Sequence, residues 1–317
     1  MSTKFVGWAL AHRGSRVGQS PTLQLKGRRY GHSIPHGHSL TRVLFAILLI
    51  IFLCSVIWLL IPHRHHPPGI DIRQKAQFHS INAAIELFNS EFDGYPPSDA
   101  LDEDGRPYCG AMKLCEAMMG RDLMGFHPDS VFRGDGTDSK GTMLYPDAND
   151  LSKESYMENL SVRKGPYLPN ENGNPCRLKD LYEVVGPFDG NEYVLCDTYR
   201  VVRKISNGMY IGMPVLYYKA KTSKTVHDVN NPDNPENIYD YKDNHALLAL
   251  GVPGRPEQKH PLYEDPKIFY EMTRNTRVTG PSVPNRADTY ILLSAGPDGL
   301  YGTTDDIANF DFRWKPK

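Results

Sequence analysis

IDIRQKAQFHSINAAIELFNSEF, residues 70–92, is the stretch on which the fold turns. Phe78, Ile81, Ile85, Phe88 and Phe92 follow one another at steps of three or four, which lines them along one side of an α-helix. Ala76, Ala83 and Ala84 add helix propensity with little bulk. Asp93-Gly-Tyr-Pro-Pro97 stops it: Gly94 is expected to take the left-handed cap conformation, and the prolines cannot continue a helix. The apolar side of such a helix has to be covered, and a sheet formed later in the chain is the expected cover.

Upstream, Pro67-Pro68-Gly69 separates this helix from VLFAILLIIFLCSVIWLLI at 43–61, nineteen residues without a charge. A helix of that length spans roughly 28 Å, the hydrocarbon thickness of a bilayer. No small-x-small cleavage site follows it, so it reads as an anchor and not as a removed signal. Residues 1–42 carry Lys4, Arg13, Arg16, Lys26, Arg28, Arg29 and Arg42 with no Asp or Glu, which leaves −8 for the remainder of a chain whose net charge is −1. Such a basic arm suits nucleic acid or a membrane surface. Its place beside the anchor favours the membrane, with no nucleic acid partner. Basic flanks stay on the cytoplasmic side, which puts the N-terminus inside and residues 62–317 outside. The expected division is a basic cytoplasmic arm 1–42, a transmembrane helix 43–61, a linker 62–69 and an extracytoplasmic domain 70–317. The expected location is the inner (cytoplasmic) membrane, crossed once.

Downstream, a short helix is expected around Ala111 to Leu123, and strands at Tyr193–Ile205, Tyr210–Ala220 and Thr289–Ser294. Asp228–Asn244, dense in Asn, Asp and Pro, reads as a long exposed loop. Helix first and strands later is the order of an α+β domain. Cys109, Cys115, Cys176 and Cys196 fall outside the anchor, which holds Cys54. One or two disulfides and buried free thiols are both open readings. His36, His38, His63, His65 and His66 flank the anchor as solvated polar residues, and Arg133-Gly-Asp135 is a tripeptide short enough to arise by chance. There is no Gly-x-Ser-x-Gly elbow, no His-Glu-x-x-His and no phosphate-binding loop, so an enzyme is not expected.

The C-terminal stretch Ser294-Ala-Gly-Pro-Asp-Gly-Leu-Tyr-Gly-Thr-Thr-Asp-Asp-Ile307 is different. Asp298, Asp305 and Asp306 crowd one glycine-rich loop. They repel one another unless a cation lies among them, and calcium accepts carboxylates and carbonyls in flexible geometry. A solvated acidic turn, with Asp as the turn former, fits the same residues.

Ser294-Ala-Gly-Pro-Asp-Gly299 with Gly302-Thr-Thr-Asp-Asp-Ile307 resembles the C-terminal calcium loop of the major pseudopilin of type II secretion systems. Glu91-Phe-Asp-Gly-Tyr-Pro-Pro97 resembles the end of the long helix in the same type IV pilin-like family. The resemblance covers roughly a quarter of the chain. It implies a pilin-like long helix packed on a small antiparallel sheet, here with a large loop-rich insertion over 98–288. It implies calcium held by the carboxylates of Asp298, Asp305 and Asp306 and the carbonyls of Ala295 and Thr303. It also implies a structural subunit whose partners are other pseudopilin or secretion-apparatus proteins, or further copies of itself. The runner-up reading is a membrane-anchored binding protein on the same scaffold, and a weaker third is an anchored hydrolase. Gly37-His-Ser-Leu-Thr-Arg42 is the nearest counterpart of the prepilin cleavage site, with Arg42 where the family has Glu. Pro67–Gly69 breaks a helix that the family keeps continuous.

Overall fold

The computed structural model describes residues 39–60 and 68–311, with side chains described over 43–53 and 71–311. The chain divides into two compact units, 1–63 and 64–317. In the first, α1 (Ser39–Leu60) is a helix of 22 residues, beginning four residues before the expected start of the anchor. Among the described residues no helix is long and apolar enough to cross a membrane. The span expected over 43–61 runs past the described side chains of α1. The arm up to residue 38, the linker at 62–67, the five histidines and Gly37 also lie outside the described residues.

The second unit is α+β, as expected. It opens with α2 (Pro68–Phe92). The periodic stripe is where the sequence put it: Phe78, Ile81, Ile85 and Phe88 are 0–3% exposed. Burying each stabilises the fold by about 1.5–3 kcal/mol. Two polar residues extend the stripe. Gln77 Nε2 donates to the Asn172 and Cys196 carbonyls, each at 2.8 Å, and Gln74 Oε1 accepts from the Thr198 backbone N–H at 2.9 Å. The helix stops at Asp93, not at Gly94: Asp93 takes the left-handed conformation with φ of 53°, which a short polar side chain tolerates.

The cover of α2 is not chiefly the expected sheet: beneath it lies α3 (Gly110–Met119), all ten of whose residues are buried, and Phe88 packs on Phe126, Phe132 and Tyr167. A Cβ on Gly110 would stand 2.3 Å from the Tyr217 carbonyl oxygen, so only glycine lets the helix start this close to a strand. Asn244 holds the same junction, accepting from the Ala111 N–H at 2.8 Å and donating to the Tyr217 carbonyl at 2.7 Å. Gly120 ends α3 four residues short of the expected Leu123. Glu116, buried, accepts hydrogen bonds from the hydroxyls of Tyr108, Ser130 and Tyr145. A further helix, α4 (Lys153–Val162), has no buried residue. It therefore lacks the apolar stripe that would have marked it.

The sheets are small and antiparallel. β1 (Pro175–Arg177) pairs with β2 (Tyr193–Leu195), and β3 (Val202–Arg203) pairs with β4 (Tyr210–Ile211). The central sheet has the order β5-β6-β7, with β5 at Leu216–Lys219, β6 at Tyr290–Ser294 and β7 at Ile307–Ala308. Leu216 faces Leu293 across the first pair and Leu293 faces Ala308 across the second. β6 is buried along its whole length. Asn82 of α2 reaches this sheet by accepting from the Tyr290 hydroxyl at 3.0 Å and from Asn309 Nδ2 at 3.2 Å.

Three expectations are corrected. The run 193–205 is not one strand, because the chain turns at Asp197. The run 210–220 breaks between Ile211 and Leu216, where Pro214 has no N–H to offer a sheet. The segment 228–244 is not simply an exposed loop: Asn237, Ile238, Tyr239, Asp243 and Asn244 are all buried, its polar side chains satisfying turns and caps. Cys109, Cys115, Cys176 and Cys196 are buried free thiols.

Phe88→Ala is expected to lower unfolding stability by about 3–5 kcal/mol, whereas Leu87→Ala, on the exposed side of α2, changes it by about 0.5 kcal/mol or less. Denaturant unfolding of the two variants decides this; equal losses would mean the buried side of α2 is misassigned.

Candidate metal centre

β6 leaves the core at Ser294, and the chain returns as β7 at Ile307. Gly296, Gly299 and Gly302 in the loop between them all have positive φ. A Cβ on Gly296 would lie 2.3 Å from the Asp305 carbonyl oxygen, and one on Gly302 would lie 2.7 Å from the Leu262 backbone nitrogen. Glycine at these two places lets the loop fold inward on itself and against a neighbouring segment.

That folding gathers the acidic side chains. The Asp298 backbone N–H donates to Asp305 Oδ2 at 3.1 Å, and Asp298 Oδ1 accepts from the Leu300 N–H at 2.7 Å. Asp306, 2% exposed, accepts from the Gly302 N–H at 2.8 Å. The Thr303 hydroxyl lies against the Leu300 carbonyl at 3.3 Å, against Asp306 Oδ1 at 3.4 Å, and against Asp305 Oδ1. A hydroxyl has one proton to give, so it satisfies one of these three oxygens.

Electrostatics follow from this crowding. Asp298 is pushed up to about 6 by desolvation and by the charge of Asp305 beside it. Asp306 is raised well above the carboxylate range by burial, with the charges of Asp298 and Asp305 adding to it. These groups hold protons that an unfolded chain would release.

The structure thus joins Asp298 to Asp305 directly, and Asp305 to Asp306 through Thr303. Among the described residues it does not draw three or more His, Cys, Asp or Glu side chains into one metal-holding group. Of the two carbonyls in the expected ligand set, Ala295 belongs to a fully buried residue and Thr303 to a half-buried one. Carboxylate and carbonyl oxygens are the donors that a calcium ion takes. The residue types fit that ion.

Sequence reading missed one carboxyl at the root of the loop. Asp197 Oδ2 accepts from the Ser294 hydroxyl at 2.7 Å, and Oδ1 accepts from the Tyr199 and Met213 N–H groups, each at 3.1 Å. It is 1% exposed, and burial raises it to about 7. The nearest local sign was Gly212, whose Cβ would lie 2.0 Å from Asp197 Oδ1.

With no divalent cation present, stability is expected to fall as pH rises. The folded chain holds the protons of Asp298 and Asp197 more tightly than the unfolded one. Their contribution is therefore complete below about pH 4, the ordinary carboxylate range, and is lost as pH passes upward through the folded values, about 6 and about 7. If calcium binds the loop, it is expected to replace the missing protons at pH 8, raising Tm by roughly 5–10 °C at about a hundredfold excess over its Kd, and to do little at pH 5. Asp305→Ala removes the rise. A calcium shift that is independent of pH, or that survives in Asp305→Ala, would place the ion elsewhere.

No known protein family, curated protein or solved structure matches this chain, and its functional reading rests on the geometry of the loop and its neighbours.

Proposed function

We propose that the protein is a pseudopilin-like structural component of a bacterial secretion or envelope apparatus. It is anchored by 43–61 with its N-terminus in the cytoplasm, and it acts through subunit contacts made by the domain outside. The observation that carries this reading is the order of parts. An exposed apolar helix is followed by a long amphipathic helix that opens an α+β unit, and the two C-terminal strands of that unit are joined by a glycine-turned acidic loop.

Every described apolar side chain of α1 from Val43 to Leu53 is about half exposed or more. A contiguous apolar surface of this kind requires lipid or partner helices around it. On α2, Ile72 and Leu87 are 65% and 57% exposed, on the side away from the core. They offer apolar contacts to a neighbouring subunit. Calcium held by Asp298, Asp305, Asp306 and the carbonyls of Ala295 and Thr303 would supply charge neutralisation there. The chain's own part is to turn the loop inward at Gly296 and Gly302 and to fix its root through Ser294 and Asp197.

A cavity of about 570 Å³ lined by Asn170, Cys176, Arg200 and Lys204, among others, favours the second reading, a membrane-anchored extracytoplasmic binding protein on a pilin-like scaffold. Photo-cross-linking of the full chain in membranes separates the two. A subunit protein gives dimers and larger products from a cross-linker at Leu87, and these are lost when 43–61 is deleted. Monomers alone, from membranes that retain the chain, would reject the subunit reading in favour of the binding protein.

A further inference from the structure

The hairpin of β1 and β2 places two thiols on one face. Cys176 pairs with Val194 in the antiparallel register, so Cys196, two residues beyond Val194, is its diagonal neighbour on the same face. Diagonal neighbours of this kind stand about 7–8 Å apart, so a disulfide between them needs a small backbone shift as well as new rotamers.

Their settings differ. Both are buried, Cys196 at 0% and Cys176 at 2% exposure, but only Cys176 forms part of the wall of the 570 Å³ cavity. Arg177, Arg200 and Lys204 line the same cavity, with Asp180 and Asp197 opposing them. The neighbouring Cys196 thiol and the cation of Lys204 pull the Cys176 thiol down, against burial, which works the other way. Burial pushes the other thiols up: Cys109 to about 11, and Cys115 and Cys196 further above the ordinary range. A thiol that ionises, opens on a cavity and has a second thiol behind it matches an attacking and resolving pair.

We propose that Cys176 and Cys196 form a thiol–disulfide exchange site, which takes an anionic low-molecular-weight disulfide from the cavity and ends as a cross-link between β1 and the residue after β2. The Cys176 thiolate attacks one sulfur of the incoming disulfide. That S–S bond breaks, and the departing thiolate takes up the proton that Cys176 released. Cys196 then gives up its proton and attacks Cys176 Sγ, which breaks the mixed disulfide and releases the second small thiol. Two protein thiols are oxidised, and one external disulfide is reduced to two thiols. The cross-link staples the hairpin where α2 docks, because Gln77 donates to the Cys196 carbonyl. This site depends on neither the membrane anchor nor the calcium loop.

The test uses the full chain in detergent with glutathione disulfide, followed by acid quench, alkylation and trypsin. Lys113, Arg121, Lys164, Arg177 and Lys179 put the four cysteines of the second unit on separate peptides. The expected product is a 176–196 linked peptide, with Cys109 and Cys115 alkylated only after unfolding and Tm raised by roughly 5–10 °C. Cys196→Ser accumulates glutathione on Cys176. Cys176→Ser takes up glutathione on Cys196 at least about tenfold more slowly, as its burial dictates. Circular dichroism confirms that both near-isosteric variants are folded. No linked peptide at large oxidant excess, a Cys115–Cys196 link formed as fast, or no adduct in folded Cys196→Ser would each overturn the assignment.

Discussion

The Asp197 carboxyl ties three separate parts of the chain together at one buried point. It accepts from Tyr199, Met213 and Ser294, which come from the turn after β2, the segment before β5 and the end of β6. A buried carboxyl is tolerable only when its oxygens are satisfied, so each donor is fixed where it stands. Gly212 leaves the room this requires. From that point the hairpin of β1 and β2 continues to α2 through Gln74 and Gln77, and the central sheet continues into the acidic loop. The long helix, the sheet and the loop thus share one buried polar junction.

The apolar half of this architecture was legible in the sequence. Phe78, Ile81, Ile85 and Phe88 announce their buried side by spacing alone, and Thr289–Ser294 reads as the strand it nearly is. The polar half was not. Gln74 and Gln77 occupy core positions, but a glutamine on a helix looks the same whether its amide meets water or a distant carbonyl. Asn244 sits in what composition marks as a loop, yet it caps a helix more than a hundred residues earlier in the chain. Asp298, Asp305 and Asp306 stood out because carboxylates and glycines cluster locally. Asp197 belongs to the same neighbourhood through the fold only, and no window of sequence contains both.

The loop and the thiol hairpin show the same balance of burial against charge. Burial raises the proton affinity of Asp298 and Asp306 first, and the like charges beside them add to it. Cys176 has the opposite surroundings, with a donor and a cation beside it, and it ionises more readily. One place calls for a positive charge from outside. The other already has one.

The contact between Gly302 and Leu262 links the acidic loop to the segment 260–262. The Tyr301 carbonyl accepts from the Leu262 N–H at 3.1 Å, and the Tyr301 N–H donates to His260 Nδ1 at 3.4 Å. Burial draws His260 down to about 4, so the ring stays neutral and keeps that nitrogen as an acceptor. The loop therefore borrows part of its scaffolding from residues forty positions upstream. Transplanting 294–307 alone onto another hairpin would strand Tyr301 without either partner, so any graft has to bring 260–262 along.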